Sequence, residues 1–190
     1  YPIKMDVTKS IPDPTDDKKT IDTVEEETLN SMVPLWKKNK SKITTEDYNE
    51  FYKGKFSDWE NPQKVIHYNV EGNISYTALL YIPGKTPFNF YNTDYESGIQ
   101  LYSKGVFILD NAKDLLPECY RFVKGLVDCD DLNLNISREI LQQDRQVKAL
   151  SKSIDKKITG MLEDMLEKER EEYEKFYENF GLNLKLSLIH

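Results

Sequence analysis

The stretch Ile66-His67-Tyr68-Asn69-Val70-Glu71-Gly72-Asn73-Ile74-Ser75-Tyr76-Thr77-Ala78-Leu79-Leu80-Tyr81-Ile82 decides the fold class. Ile66, Tyr68 and Val70 alternate with less apolar residues, and Ile74, Tyr76, Ala78, Leu80 and Ile82 repeat the pattern. That is the period of a strand with one face buried. Glu71-Gly72-Asn73 supplies turn residues between the runs, so the spacing predicts a β-hairpin. Gly98–Tyr102 and Val106–Leu109 add strands, broken by Lys104-Gly105. Upstream, Val33-Pro34-Leu35-Trp36 begins an ordered region. Thr44-x-x-Asp47 is a capping-box start for a helix that places Tyr48, Phe51 and Tyr52 on one face.

Downstream, Pro117 suits the first turn of a short helix reaching about Lys124. Leu132, Leu134 and Ile136 alternate up to Ser137, a candidate N-cap for a helix carrying Arg138 to Gln143. From Asp144 the period becomes helical through Val147, Leu150, Ile154, Ile158, Leu162 and Met165, continued by Tyr173, Phe176, Tyr177 and Phe180. Gly160 is placed to bend or split this helix, and Gly181 to stop it. Strands with helices around them give an α+β, layered domain with a long helical extension.

At the other end, Ile3, Met5 and Val7 alternate as a strand, expected to belong to a preceding domain. From Thr8 to about Asn30 the pattern dissolves among Pro12, Pro14 and a run of acids. Such a stretch buries too little surface to offset its ordering entropy, so it reads as a linker.

Composition bounds the function. The chain has 190 residues, 38% of them hydrophobic and 31% charged, enough for one modest core with 12 Tyr, 8 Phe and 2 Trp. A net charge of −7 argues against a general nucleic-acid binder, and no apolar run is long enough for a membrane helix. Cys119 and Cys129, with His67 and His190 distant, make no zinc spacing, so no metal is expected, and two thiols fit a reducing cytosol. The chain opens on Tyr1 without a leader and closes within an apolar pattern, so it reads as a piece of a longer protein.

Among motifs, Pro83-Gly84-Lys85-Thr86 mimics the tail of a phosphate loop, but the earlier glycine is missing and Pro87 follows, so it reads as a turn. Asp128, Asp130 and Asp131 are weighed as paired carboxylates and read as loop, and His67 as structural. Arg145, Lys148, Lys152, Lys156 and Lys157 make the first half of the long helix basic and its second half is acidic. This is read as a solvated face, against the alternative of a zone for an anionic partner. Trp59, between Asp58 and Glu60, either caps the core edge or stands exposed as an anchor. Arg138 and Gln142, four apart at a helix start, can receive a phosphate, although most pairs so spaced are plain surface residues.

Leu132-Asn133-Leu134-Asn135-Ile136-Ser137-Arg138-Glu139-Ile140-Leu141-Gln142-Gln143 resembles the catalytic loop of the heat-shock protein 90 family's middle domain. Three more stretches fit that family in the same order. They are Pro34-Leu35-Trp36 with Ile43-Thr44 through Tyr52, Asp58-Trp59-Glu60-Asn61-Pro62, and Leu115-Leu116-Pro117-Glu118 with Phe122 through Asp128. The short linker resembles the bacterial branch.

The resemblance implies an α-β-α sandwich from a cytoplasmic, stress-responsive, ATP-driven chaperone that assists folding. Its expected boundaries are 1–8 for the strand of the preceding nucleotide domain, 9–32 for the linker and 33–143 for the core with its catalytic loop. The connecting helices follow at 144–181, and 182–190 begins the next unit. Arg138 would contact the γ-phosphate of ATP, held with magnesium by the N-terminal ATPase domain of the same chain, and Gln142 would assist. Trp59 would hold client proteins, and Phe107 would meet the N-terminal domain. The parent is expected to be an ATP hydrolase and a homodimer through a C-terminal domain, with no nucleic acid or membrane as partner. The segment alone has no complete active site. The rival reading is a non-catalytic interaction module using the long charged helix as a scaffold arm.

Overall fold

The structure, a computed structural model, describes residues 4–13, 16–28, 33–92, 94–96, 99–132 and 145–187. The chain divides into two compact units, Tyr1–Lys38 and Asn39–His190.

The first unit corrects the linker expectation. Strands β1 (Lys4–Asp13) and β2 (Asp16–Thr28) pair antiparallel from Lys4 opposite Thr28 to Pro12 opposite Thr20, shifting register at Asp13. The linker reading weighed apolar burial alone. Thr8, Ile11, Thr20, Ile21, Thr23 and Val24 are β-branched, and such residues favour extended backbone whatever their hydropathy. Val33–Trp36, expected at the head of the core, falls with this unit.

In the second unit, helix α1 (Thr45–Phe56) starts on the predicted capping box. The Thr44 hydroxyl accepts from the Asp47 amide at 3.2 Å, and the Asp47 carboxylate accepts from the Thr44 amide at 2.8 Å. The hairpin follows as β3 (Lys64–Val70) and β4 (Tyr76–Ile82), in register from Lys64 opposite Ile82 to Val70 opposite Tyr76. Next come β5 (Ile99–Ser103), β6 (Val106–Leu109) and β7 (Lys124–Cys129). The sheet order is β3-β4-β7-β5-β6, antiparallel except where β5 lies parallel to β7.

Strand β7, at the centre, departs from the sequence reading. The short helix expected from Pro117 is one 3-10 turn, Glu118–Tyr120, and the chain then enters the sheet. Gly125 is required there. Its φ is +150°, and a Cβ would lie 2.4 Å from the Leu79 carbonyl oxygen, so only glycine permits this approach of β7 to β4.

The two faces of β4 separate the layers. Tyr76, Ala78, Leu80 and Ile82 share a core with two helices, α2 (Arg145–Lys168) and α3 (Arg170–Ser187). Tyr81, one step out of phase, meets the α1 ring of Tyr52 at 5.1 Å. This is the expected α-β-α arrangement. Val147, Leu150, Ile154, Ile158 and Met165 of α2 are buried in the sheet core, so the helix is not a free scaffold arm. On α3, Phe176 and Phe180 close around Phe122, the Phe122 and Phe180 rings stacked at 4.7 Å.

The helix break also differs from expectation. It falls at Glu169, where the Glu169 amide still donates to Met165 and the Tyr173 amide to Glu169. Neither Gly160 nor Gly181 interrupts the helix. Gly181 is buried inside α3, and a Cβ there would stand 2.9 Å from the Tyr177 ring, so the residue makes room for an aromatic and does not end the helix. The boundary expected between 181 and 182 is thus crossed by α3. Asn183, on its last turns, donates to the carbonyls of Glu118 and Cys119.

Candidate functional site

Helix α1 ends at Ser57, which adopts a left-handed conformation (φ 51°, ψ 38°) and turns the chain sharply. Asp58 anchors the turn beyond it. Its Oδ2 accepts from the Tyr52 hydroxyl at 2.6 Å, its Oδ1 from the Glu60 amide at 3.2 Å, and Lys124 Nζ stands 3.6 Å away. Burial alone would raise the Asp58 pKa. The hydrogen bonds from Tyr52 and the backbone, with the Lys124 charge, outweigh it and hold the carboxyl below its ordinary value. Burial and the bond to Asp58 both push the Tyr52 phenol up.

Trp59 rides on this anchored turn and is 94% exposed, so of the two readings the exposed one holds and core capping does not. A second turn braces the first. Lys85 reaches Glu60 Oε1 at 2.5 Å, and Gly84 sits so close to Asn61 that a Cβ would meet its carbonyl oxygen at 2.6 Å. The segment 83–86 is therefore the turn its sequence suggested. Beyond it Phe88 is fully exposed and Tyr91 half exposed, whereas Phe90 is buried against Phe180 at 5.7 Å. Phe88 was not singled out from the sequence. No local pattern announces it: Phe88 and Phe90 sit in a turn closed by the Phe90 amide on the Pro87 carbonyl at 3.0 Å, so residues two apart need not share a face as they would in a strand.

Phe107 lies on β6, half exposed, its ring edge-on to Tyr102 at 5.5 Å, with Val106 also exposed. The Trp59 turn is tied to Lys124, the first residue of the central strand β7, whereas Phe107 pairs through Tyr102 with Asp128, four residues along β7 and two strands across. At about 3.3 Å per residue and 4.8 Å per strand, these anchor points stand roughly 16 Å apart. The structure does not bring these two residues together.

Arg138 and Gln142 lie in 133–144, outside the described residues. The chain on either side is anchored. Leu132 is buried and its carbonyl accepts from Ser103 Oγ at 2.7 Å, while Val147, near the start of α2, is buried. The three aspartates weighed as catalytic are in structural bonds, Asp130 through its backbone amide, which donates to the Ser75 carbonyl at 3.1 Å, and the other two through their side chains. Asp128 is buried and accepts from the Gly105 amide at 3.0 Å, and Asp131 accepts from the Ser75 amide at 2.6 Å. Gly105 directly precedes Val106 and Phe107, so the approach to the loop and the exposed β6 edge share one support. His67 Nδ1 pairs with the Tyr48 hydroxyl at 2.7 Å, a link between α1 and β3.

Among the described residues no helix is long and apolar enough to cross a membrane, and no cluster of acidic, histidine or cysteine side chains suits a metal ion.

The profile of the family described as Hsp90 protein matches residues 4–190. The chaperone protein HtpG of Oceanobacillus iheyensis is 54% identical over 153 residues, which are 80% of this chain and 24% of that protein. HtpG of Clostridium acetobutylicum is 53% identical over 152 residues with the same coverage. The chain thus spans about a quarter of the length of the relatives it matches. Among solved structures, the middle domain of a Plasmodium falciparum heat shock protein superposes with a TM-score of 0.72 at 32% identity, covering 83% of this chain and 61% of that one. The sandwich of α1, sheet and paired helices, the motifs along the chain and these matches agree: the chain belongs to the Hsp90 family and corresponds to its middle domain.

Proposed function

We propose that this segment is the client-holding and ATPase-completing middle part of an ATP-driven molecular chaperone working in the cytoplasm. The observation that carries the reading is the nearly complete exposure of Trp59 on a turn fixed by Asp58, Glu60 and Gly84. Large aromatics on a rigid support suit non-native polypeptides, because the apolar area is displayed without an ordering cost at the moment of binding. Phe88 and Tyr91, exposed beyond the 83–86 turn, offer further apolar area to a client, and Phe107 faces the N-terminal ATPase domain of the same chain.

The donor set of the 133–144 loop fits a phosphate. A guanidinium fork at Arg138 and a neutral amide at Gln142 both donate to anionic oxygens. Bound with magnesium by the N-terminal domain, ATP supplies the phosphoanhydride whose hydrolysis drives the cycle. Arg138 contacts the γ-phosphate oxygens, and Gln142 supports it from the same loop. The parent chain works as a homodimer joined through its C-terminal domain.

Replacing Trp59 with alanine tests the client role. Affinity for a chemically unfolded model protein should fall about tenfold, while circular dichroism and thermal midpoint stay as in the parent. Unchanged affinity would remove Trp59 from the client surface.

A further inference from the structure

Strand β3 ends the sheet on one side, and among the described residues no strand pairs with its outer edge. An open edge presents a row of backbone donors and acceptors, which folded proteins usually guard with proline, a bulge or an inward charge. Lys64–Val70 has no proline and pairs with β4 without a register shift. Its one charge in phase with Ile66 and Tyr68, Lys64, stands at the strand's first residue and is paired with Glu169, leaving 65–70 without such a guard. Beside this edge a groove of about 620 Å³ runs between β3 and α2. Ile66, Tyr68 and Met161 give it an apolar floor, and Lys156 and Lys157 stand on its rim. Gly160 leaves the helical wall open, since a Cβ there would meet nothing within 4 Å.

The charge at the groove is one-sided. Its two acids are already engaged, Glu169 by Lys64 at 2.5 Å and Asp164 by Lys168. Lys156 and Lys157 make no ion pair among the described residues, and Lys157 is held over the Tyr68 ring at 5.5 Å.

We propose that the β3 edge and this groove take an extended, acidic segment of a partner polypeptide as a further strand of the sheet. Alternate side chains of an added strand face the same side. One apolar side chain rests on Ile66 and Met161, and a carboxylate two positions along meets Lys156 and Lys157. The backbone ladder gives the affinity and the groove gives the preference, as in strand addition generally. A small anion would engage the lysines but leave the strand edge and apolar floor unused, which is why the occupant is a polypeptide. This surface is separate from the exposed Trp59 and does not depend on it.

The test titrates the 190-residue chain with a short capped peptide in which threonine alternates first with valine and then with glutamate, against its lysine counterpart. The glutamate peptide should bind about tenfold more tightly, weaken with salt, and slow hydrogen exchange at the amides of 64–70. The paired substitution Lys156→Glu with Lys157→Glu should invert the preference. Gly160→Leu, which fills the open wall without altering charge, should weaken the glutamate peptide by a similar factor. Equal binding of the two peptides, binding without protection of the β3 amides, or a preference unmoved by the charge reversal would each overturn the proposal.

Discussion

The Tyr52 hydroxyl donates to Asp58 Oδ2 at 2.6 Å, and this bond joins the last turns of α1 to the exposed turn that carries Trp59. Tyr52 is itself fully buried, its ring against Phe56 and Tyr81, so the donor cannot move away.

Tyr52→Phe keeps the ring and removes the bond to a charged acceptor. Such a bond contributes about 1.5–3 kcal/mol, and partial access of water to Asp58 places the loss near the lower end. Urea unfolding at neutral pH should show a deficit of about 1.5 kcal/mol.

The same pair sets a pH dependence. The Asp58 pKa is lower folded than unfolded, so its contribution is fully present above the unfolded value and is lost as pH falls through the folded one. The stability advantage of the parent over Asp58→Asn should be constant from neutral pH to about pH 5 and shrink below roughly pH 4. Urea midpoints for both proteins across that range check the sign, and an advantage that grows in acid would contradict it.

Glycines separate sharply by position. Gly125→Ala drives a methyl to within 2.4 Å of the Leu79 carbonyl at the sheet centre and should cost about 3 kcal/mol or prevent folding. Gly160→Ala meets open space in a helix interior and should gain roughly 0.5–1 kcal/mol. Thermal melts of the two variants should therefore move in opposite directions.

Phe180→Ala empties the stack on Phe122 and should cost about 3–5 kcal/mol, whereas Leu182→Ala on the exposed side of α3 should stay within about 0.5 kcal/mol. Chemical denaturation distinguishes them.

The most direct test of the phosphate role uses the full-length chaperone. A fork that stabilises developing charge on the γ-phosphoryl oxygens contributes roughly 1.5–3 kcal/mol. Arg138→Ala should therefore slow hydrolysis about ten- to a hundredfold and leave ATP affinity nearly intact. Arg138→Lys should recover part of the rate, and Gln142→Ala should be milder. Steady-state turnover with nucleotide binding on the three variants decides it; an unchanged rate in Arg138→Ala would end the assignment.

The elements legible in the sequence were those whose period or cap is local. The β3–β4 hairpin was legible because β3 leaves one face half open, with Asn69 exposed between Tyr68 and Val70, and because Glu71-Gly72-Asn73 marks the turn. Thr44 with Asp47 announces α1 within four residues. Strand β7 hid because both its faces are covered, so Gly125-Leu126-Val127 shows no alternation, and Pro117 just upstream spoke for a helix. The β1–β2 hairpin hid behind its acids. Gly181 misled because a glycine that stops a helix and one that admits a ring look alike until Tyr177 is in place. At the candidate site Trp59 was visible as a residue but its exposure was not. That depends on Lys124, Lys85 and Gly84, which are remote in sequence.

Helix α3 is stitched along one side to the turns flanking Trp59 and Phe88. Gln63 donates to the Glu172 carbonyl, Thr86 to that of Asn179, and Asn179 to that of Gly84. Further along, Asn183 grips the turn before β7. The helix therefore acts as a strut: load applied at its far end reaches the aromatic turns through short, stiff bonds and does not dissipate in loop. If Trp59 holds a polypeptide as proposed, a pull on α3 reaches the displayed indole through these bonds, a mechanical route from a distant movement in the chain to the grip.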